Sequence, residues 1–186
     1  FQIAYSLVSI ATLAWIYFAF TAAPPADLPG SGDIGWIAAT LLTLPAMVLF
    51  AGSMSGNPAL GLPGAEEQAR ATPKGVFAVT RHPMMWGFAL WALSHLVLFW
   101  SWRTMITALA MGLLALVGAH LQDRKKEVLM GEAWKEWERN TTYWPRWGKV
   151  FSAGPTPWAI GLVLFALLSW LHMPIGGIAA GIWRWL

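Results

Sequence analysis

The chain has 186 residues, of which 57% are hydrophobic and only 11% are charged. Soluble domains carry about 25% charged residues, so the composition excludes an ordinary soluble protein and predicts one whose main partner is the lipid bilayer. The net charge of +3 fits basic loops that face anionic lipid, and it does not indicate a nucleic-acid partner. Cysteine is absent, which excludes disulfides, iron–sulfur clusters and cysteine nucleophiles.

The hydrophobic pattern predicts helices that cross the bilayer. A hydrocarbon core of about 30 Å needs roughly 20 apolar residues per helical crossing. Five stretches qualify: residues 3–22, 35–51, 83–100, 104–121 and 158–173. We therefore predict an all-α polytopic transmembrane helix bundle that forms a single domain over residues 1–186. Because Phe1 is not an initiator methionine and almost directly precedes apolar sequence, we expect upstream residues, which could include another helix.

The basic residues predict the topology of the spans. The second and fourth loops share one side of a five-span bundle and hold ten of the twelve lysines and arginines. The first loop instead carries Asp27 and Asp33 and no basic residue. Because cytoplasmic loops are enriched in lysine and arginine, we place the second loop, the fourth loop and Phe1 on the cytoplasmic side.

The third predicted span begins with Arg81, His82 and Pro83 and carries a second histidine, His95. Proline suits the first position of a helix, where no amide donor is lost. A histidine inside an apolar span is costly and usually has a partner, a cavity or a metal. We therefore expect function to centre on this helix.

The fourth loop, residues 122–147, alternates charged and aromatic residues. This pattern predicts the cytoplasmic end of the fourth span followed by an interfacial amphipathic helix. Leu129, Trp134, Trp137 and Trp144 would lie toward lipid or the bundle.

Helix geometry limits how the four histidines can cooperate. His82 and His95 are separated by about 20 Å along a straight helix and about 140° around it, so they cannot bind one iron together. The predicted depths instead give two pairs, His82 with His120 and His95 with His172. A b-type haem held by two histidines suits the second pair, since imidazole suits iron and an apolar pocket suits the macrocycle.

A stripe on the third span could form a wall for such a haem. Met84, Phe88, Trp91 and His95 follow one another at spacings that place them on one helix face. Ordinary alternatives stay open: bundle packing for the stripe, a hydrogen bond to a neighbouring helix for His95, and hydration for His120 and His172. Arg81 could simply extend its charged end to the interface.

The segment from Arg81 to Leu96, together with residues 5–7, 118–120 and Asp123-Arg124, resembles the NnrU family of integral membrane proteins over the whole chain. This resemblance implies a multi-pass protein of the bacterial inner membrane that is linked with denitrification, the reduction of nitrite and nitric oxide. Nitric oxide reductase or another respiratory complex is the partner that this link implies. A non-enzymatic accessory or assembly subunit is therefore one alternative.

The NnrU family is related to plant and cyanobacterial zeta-carotene isomerase, which uses a b-type haem to isomerise a cis double bond. This relationship implies haem b as cofactor, a lipid-soluble substrate and isomerase-like chemistry. His95 takes the position of an axial ligand, whereas the enzyme's other ligand lies on a helix upstream of this chain. The metal-binding candidates are His95, His172 and His120, and the cofactor-binding candidates are Arg81, His82, Phe88 and Trp91; no residue is assigned a catalytic role.

The pattern from Arg81 to Gly87 is more distantly similar to the RHPxYxG motif of isoprenylcysteine and phospholipid methyltransferases. Those enzymes hold S-adenosylmethionine at the cytoplasmic interface. In this alternative Arg81 and His82 contact S-adenosylmethionine, and the closing segment contributes Glu127, Glu132 and Trp137. Met85 stands where the motif has tyrosine.

Overall fold

In the computed structural model, which describes residues 2–186, the chain folds into seven α-helices without a β-strand. Short 3-10 turns and loops connect them. The helices are α1 (Gln2–Ala22), α2 (Gly32–Gly52), α3 (Ala65–Arg70), α4 (Pro83–Leu96), α5 (Trp102–Met130), α6 (Glu132–Asn140) and α7 (Pro155–Gly176). The predicted all-α bundle is confirmed. Phe1, which we expected on the cytoplasmic side, lies outside the described residues.

Four helices of the described chain, not the predicted five, are long and apolar enough to cross a membrane: α1, α2, α5 and α7. The prediction was wrong for residues 83–100, because α4 ends at Leu96 and has only 14 residues. At 1.5 Å per residue this helix is about 21 Å long, which is short of the hydrocarbon thickness. Phe99 then adopts a left-handed φ of 44°, and the chain turns toward α5.

The bundle is organised around α2, because glycines let two neighbours approach its backbone closely. A Cβ atom on Gly87 of α4 would lie 2.9 Å from the carbonyl oxygen of Ala46. A Cβ atom on Gly161 of α7 would lie 2.8 Å from the Cα atom of Val48. Ala46 and Val48 are fully buried. The helices therefore pack in the order α5, α4, α2, α7, with the small-residue contacts common between membrane helices.

Helix α1 is joined to the bundle at its C-terminal end. There the Arg103 guanidinium, at the start of α5, donates hydrogen bonds to the carbonyl oxygens of Phe20 at 3.0 Å and Ala23 at 2.8 Å. None of the apolar window of α1 is buried against the rest of the described chain. This helix is thus apolar all round and exposed along its length, as expected for a helix surrounded by lipid.

The second and fourth loops meet at one end of the bundle, which we call the basic end (residues 53–82 and 123–154). The amide of Arg81 donates to the carbonyl of Thr142, and the amide of Arg146 donates to the carbonyl of Val79, each at 2.9 Å. The predicted placement of these loops on a common side is confirmed. The predicted amphipathic segment is also helical: α5 extends to Met130, and α6 packs Trp134 and Trp137 inward.

Candidate functional site

The structure brings His95 and His172 together, as their predicted depths indicated. Their ring centroids are 6.2 Å apart and their ring planes differ by 32°. His95 lies on α4 and is partly buried, whereas His172 lies near the C-terminal end of α7 and is exposed. The pair therefore lies toward the end of the bundle opposite the basic end.

Each imidazole of this histidine pair is oriented by the backbone of its own helix. His95 Nδ1 lies 2.8 Å from the carbonyl oxygen of Trp91, and His172 Nδ1 lies 2.7 Å from that of Leu168. A carbonyl oxygen only accepts, so in each ring Nδ1 carries the proton. In the neutral ring, Nε2 then keeps its lone pair. Metal-binding histidines use this arrangement, with the second ring nitrogen donating to a carbonyl and fixing the tautomer.

The donor set of this pair could hold a haem better than a free metal ion. Within residues 2–186 no group of three or more histidine or acidic residues could hold a metal ion, whereas a haem needs only axial ligands from the protein. Two imidazoles on opposite sides of one metal have centroids about 6 Å apart when the metal–nitrogen distances are about 2 Å. The observed 6.2 Å separation is compatible with that arrangement.

The predicted aromatic stripe lies on the same helix as His95. The Trp91 ring lies 4.3 Å from the His95 ring between centroids, and Phe88 packs edge-on against Phe50 of α2 at 5.7 Å. Met84, Phe88 and Trp91 are all partly buried. Trp91 thus supplies an apolar surface beside His95, and Phe88 contributes to the packing of α4 on α2.

A second polar site lies at the basic end, where Asp123 of α5 binds the side chains of Arg81 and His82. Arg81 Nη2 donates to Oδ2 at 2.7 Å, and Arg81 Nε lies 3.1 and 3.0 Å from the two carboxylate oxygens. His82 Nε2 lies 2.8 Å from Oδ1. The side chain of Asp123 is 1% exposed and that of His82 is 0% exposed. The guanidinium therefore neutralises a carboxylate that is otherwise costly to bury.

The segment after α6 holds this Asp123 cluster (Arg81, His82 and Asp123) in place. The Thr80 hydroxyl donates to the carbonyl oxygen of Tyr143 at 2.7 Å, and the Trp86 indole N–H donates to the same oxygen at 2.9 Å. The Tyr143 hydroxyl donates to the carbonyl oxygen of Leu116 on α5 at 2.7 Å. These bonds tie the start of α4 to α5.

The pKa values of two groups beside the cluster, Glu138 and Tyr143, are shifted by their own burial and by the charges of the cluster. Glu138 of α6 approaches Arg81 Nη2 at 3.5 Å. Burial and the nearby Asp123 carboxylate raise the pKa of Glu138, although Arg81 opposes the shift. Burial and Asp123 also raise the pKa of the Tyr143 phenol. Glu138 is partly exposed, so it lies between the buried cluster and the protein surface.

The structure places the remaining candidate residues in different surroundings. His120 is exposed on α5, and His82, its expected partner in depth, binds Asp123 instead. Glu127 pairs with Arg124 and Glu132 pairs with Lys135, each at 2.7 Å. Trp137 is buried against Phe77. The arginine and histidine proposed to contact S-adenosylmethionine are thus engaged with a carboxylate of the protein, and methyl transfer stays a prediction.

The central role of Asp123 was missed from the sequence, where it entered only as part of the family pattern. The position of Asp123 along α5 was the feature of the sequence that could have identified it. It is the first acidic residue of α5, more than five turns after the start of the helix, and it follows the fourth apolar stretch closely, just as Arg81 closely precedes the third. A carboxylate at such a depth usually pairs with a basic group on a neighbouring helix.

The fold and these two sites define a multi-pass helical membrane protein with paired histidines near one end and a buried arginine–histidine–aspartate cluster at the other. Residues 1–180 match the family described as NnrU protein. The chain therefore belongs to the NnrU family. No match was found among curated proteins or among solved structures.

Proposed function

We propose that this NnrU-family protein binds haem b through His95 and His172 in the bacterial inner membrane and serves nitrite and nitric oxide reduction. The observation that carries the proposal is the geometry of the pair. Two imidazoles from different helices lie 6.2 Å apart, and each has its Nδ1 bonded to a carbonyl oxygen. Both Nε2 atoms are therefore available to a metal.

A haem held by His95 and His172 would supply electron transfer. The protein contributes ligation and orientation. The carbonyls of Trp91 and Leu168 set the direction in which each imidazole presents Nε2. The Trp91 ring, whose centroid lies 4.3 Å from that of His95, supplies an apolar surface beside His95.

Isomerase-like chemistry on a lipid-soluble substrate is the second candidate, and the exposure of His172 favours it. His172 is exposed, and its neighbours Leu168 and Trp170 are 42% and 43% exposed. Such apolar surface faces lipid in a membrane protein. A hydrophobic substrate could therefore reach the pair directly from the bilayer, without an aqueous channel.

Absorbance spectra test the haem proposal. We would purify the full-length protein in detergent and record spectra in the oxidised and dithionite-reduced states. We expect sharp reduced bands of a b-type haem, which His95→Ala and His172→Ala abolish. His120→Ala is the matched control, because it removes a histidine that is exposed on α5, and it should retain the bands. A featureless spectrum of the unsubstituted protein, or full haem retention in His95→Ala, would contradict the proposal.

Binding of S-adenosylmethionine, measured by calorimetry on the same preparation, tests the methyltransferase alternative. Saturable binding of S-adenosylmethionine that His82→Ala abolishes would favour methyl transfer. Methyl transfer would not account for haem bands in the absorbance spectrum. Stable co-purification with a nitric oxide reductase would instead favour the accessory role in denitrification. These results separate the three functional classes with one preparation.

A further inference from the structure

Ser94, in the last turn of α4, carries a buried hydroxyl group that the packing of the helices does not require. Its side chain is 1% exposed. It follows Gly87 by about two helical turns, so it lies on the face of α4 that packs on α2. None of its hydrogen bonds within residues 2–186 reaches another helix. Alanine would suit such a position better, because it has the highest helix propensity and buries no polar group.

The Ser94 hydroxyl instead forms a triangle of short contacts with the imidazole of His95. Ser94 Oγ donates to the carbonyl oxygen of Trp91 at 2.7 Å and lies 3.1 Å from His95 Nδ1. His95 Nδ1 lies 2.8 Å from the same carbonyl oxygen. Each of these three atoms is therefore within hydrogen-bond distance of the other two.

The donors and acceptors of this triangle determine where its protons lie. The carbonyl oxygen of Trp91 only accepts, so the hydroxyl and Nδ1 each direct a proton toward it. The α-helix also directs the backbone amide of His95 to this oxygen. Three donors exceed the two lone pairs of one carbonyl oxygen. Ser94 Oγ therefore serves as a second acceptor for the proton on Nδ1.

This arrangement holds His95 in the tautomer that carries its proton on Nδ1. If the hydroxyl donated to Nδ1 instead, the ring proton would lie on Nε2, and Nε2 could not bind a metal. The bond from Ser94 to the Trp91 carbonyl opposes this reversal, because a hydroxyl group has only one proton to donate. A bare Nδ1 would also face the lone pairs of that carbonyl oxygen at 2.8 Å.

The second histidine of the pair is held by fewer contacts. His172 Nδ1 lies 2.7 Å from the carbonyl oxygen of Leu168. Leu171 precedes His172, whereas Ser94 precedes His95. A carbonyl and a hydroxyl therefore orient His95, and a carbonyl alone orients His172 among the described residues.

We propose that Ser94 is a positioning residue that holds the imidazole of His95 in the tautomer with Nε2 free to bind a metal. This role rests on the proposed function, because a fixed tautomer matters where Nε2 binds a haem iron. Groups that bond to the second nitrogen of a ligating histidine typically change metal affinity by about 10–100-fold. Loss of the hydroxyl leaves the Trp91 carbonyl in place, so we expect a loss at the lower end, about tenfold.

NMR of the ring nitrogens of the full-length protein, labelled with a nitrogen isotope in its histidines, tests the contact without haem. The resonances of His95 are those that disappear in His95→Ala. We expect its proton on Nδ1, and we expect Ser94→Ala to shift the Nδ1 resonance and to populate the second tautomer. The matched control is Ser169→Ala. Ser169 is also buried on a membrane-spanning helix, and its hydroxyl donates to the carbonyl of Phe165 at 2.6 Å, not to a histidine. This control should leave the resonances of His95 unchanged.

Titration of haem b into the haem-free protein, followed by absorbance, tests the consequence for the cofactor. We expect about tenfold weaker haem binding in Ser94→Ala and unchanged binding in Ser169→Ala. Ser94→Thr keeps a hydroxyl group at this position. It should restore both the haem affinity and the Nδ1 resonance of His95.

Two results would overturn the proposal. Identical His95 resonances in Ser94→Ala and in the unsubstituted protein would show that the hydroxyl does not act on the ring. Equal losses of haem affinity in Ser94→Ala and Ser169→Ala would show a general effect of removing a buried hydroxyl. A protein that shows the shift but binds no haem would contradict the proposed function and still support the hold of Ser94 on the tautomer. If Ser94→Thr does not fold, the comparison of the two alanine variants decides alone.

Discussion

Replacing Asp123 by Asn should destabilise the protein more than any exposed charge substitution at the basic end. The amide keeps the shape of the carboxylate but not its charge, so Arg81, whose side chain is 13% exposed, loses its closest counter-charge. Removing one partner of a buried ion pair costs about 3–5 kcal/mol. Glu138 remains near the guanidinium at 3.5 Å, which places our expectation at the lower end, about 3 kcal/mol.

Thermal unfolding in detergent measures this effect. For a protein of this size, a loss of about 3 kcal/mol lowers Tm by about 6–12 °C. The matched control is Glu136→Gln, which breaks the exposed pair between Arg70 and Glu136 at 3.3 Å and should cost less than about 1 kcal/mol. Equal Tm values for Asp123→Asn and Glu136→Gln would refute the conclusion that the Asp123 cluster stabilises the bundle.

Three further predictions follow from single contacts. Gly87→Ala should lower Tm, since its Cβ would lie 2.9 Å from a carbonyl oxygen of α2 and overpacking costs about 1–3 kcal/mol; Gly118→Ala, which meets no atom within 4 Å, should not. Tyr143→Phe should cost about 1 kcal/mol in urea unfolding, the value of one lost hydrogen bond; no change would show that its bond to Leu116 is dispensable. The raised pKa of Glu138 means that the folded state holds this proton more tightly. Stability should therefore fall as pH rises from the ordinary glutamate range through the raised pKa. In Glu138→Gln, the profile of Tm against pH should lack this fall. Superimposable profiles of the variant and the unsubstituted protein would contradict the assignment of the fall to Glu138.

The membrane-spanning helices could be predicted because length and hydropathy are local properties. Helices α1, α2, α5 and α7 lie where the apolar stretches lie. The end of α4 could not be predicted in this way, because residues 97–100 are as apolar as the helix itself. That end depends on a distant contact: the amide and the hydroxyl of Ser31 both donate to the carbonyl oxygen of Leu98 at 2.9 Å.

The two polar sites differ in how far the sequence predicted them. The sequence predicted that His95 and His172 lie at the same depth, because each depth is counted along one helix from its end. The Asp123 cluster depends on which helices become neighbours. Asp123 lies 41 residues from His82, and only the packing of α4 between α2 and α5 brings them together. Nothing in the local pattern distinguished this pairing from one between His82 and His120.

Helix α4 begins at the Asp123 cluster and carries His95 in its last turn, so one rigid element sets the register of both sites. A slip of one residue at the cluster would move His95 by about 1.5 Å along the helix axis and turn it by about 100°. Such a turn would direct its imidazole away from α7. The ion pair at the basic end therefore acts as an anchor for the alignment of the two histidines about 20 Å away, although it contacts neither of them.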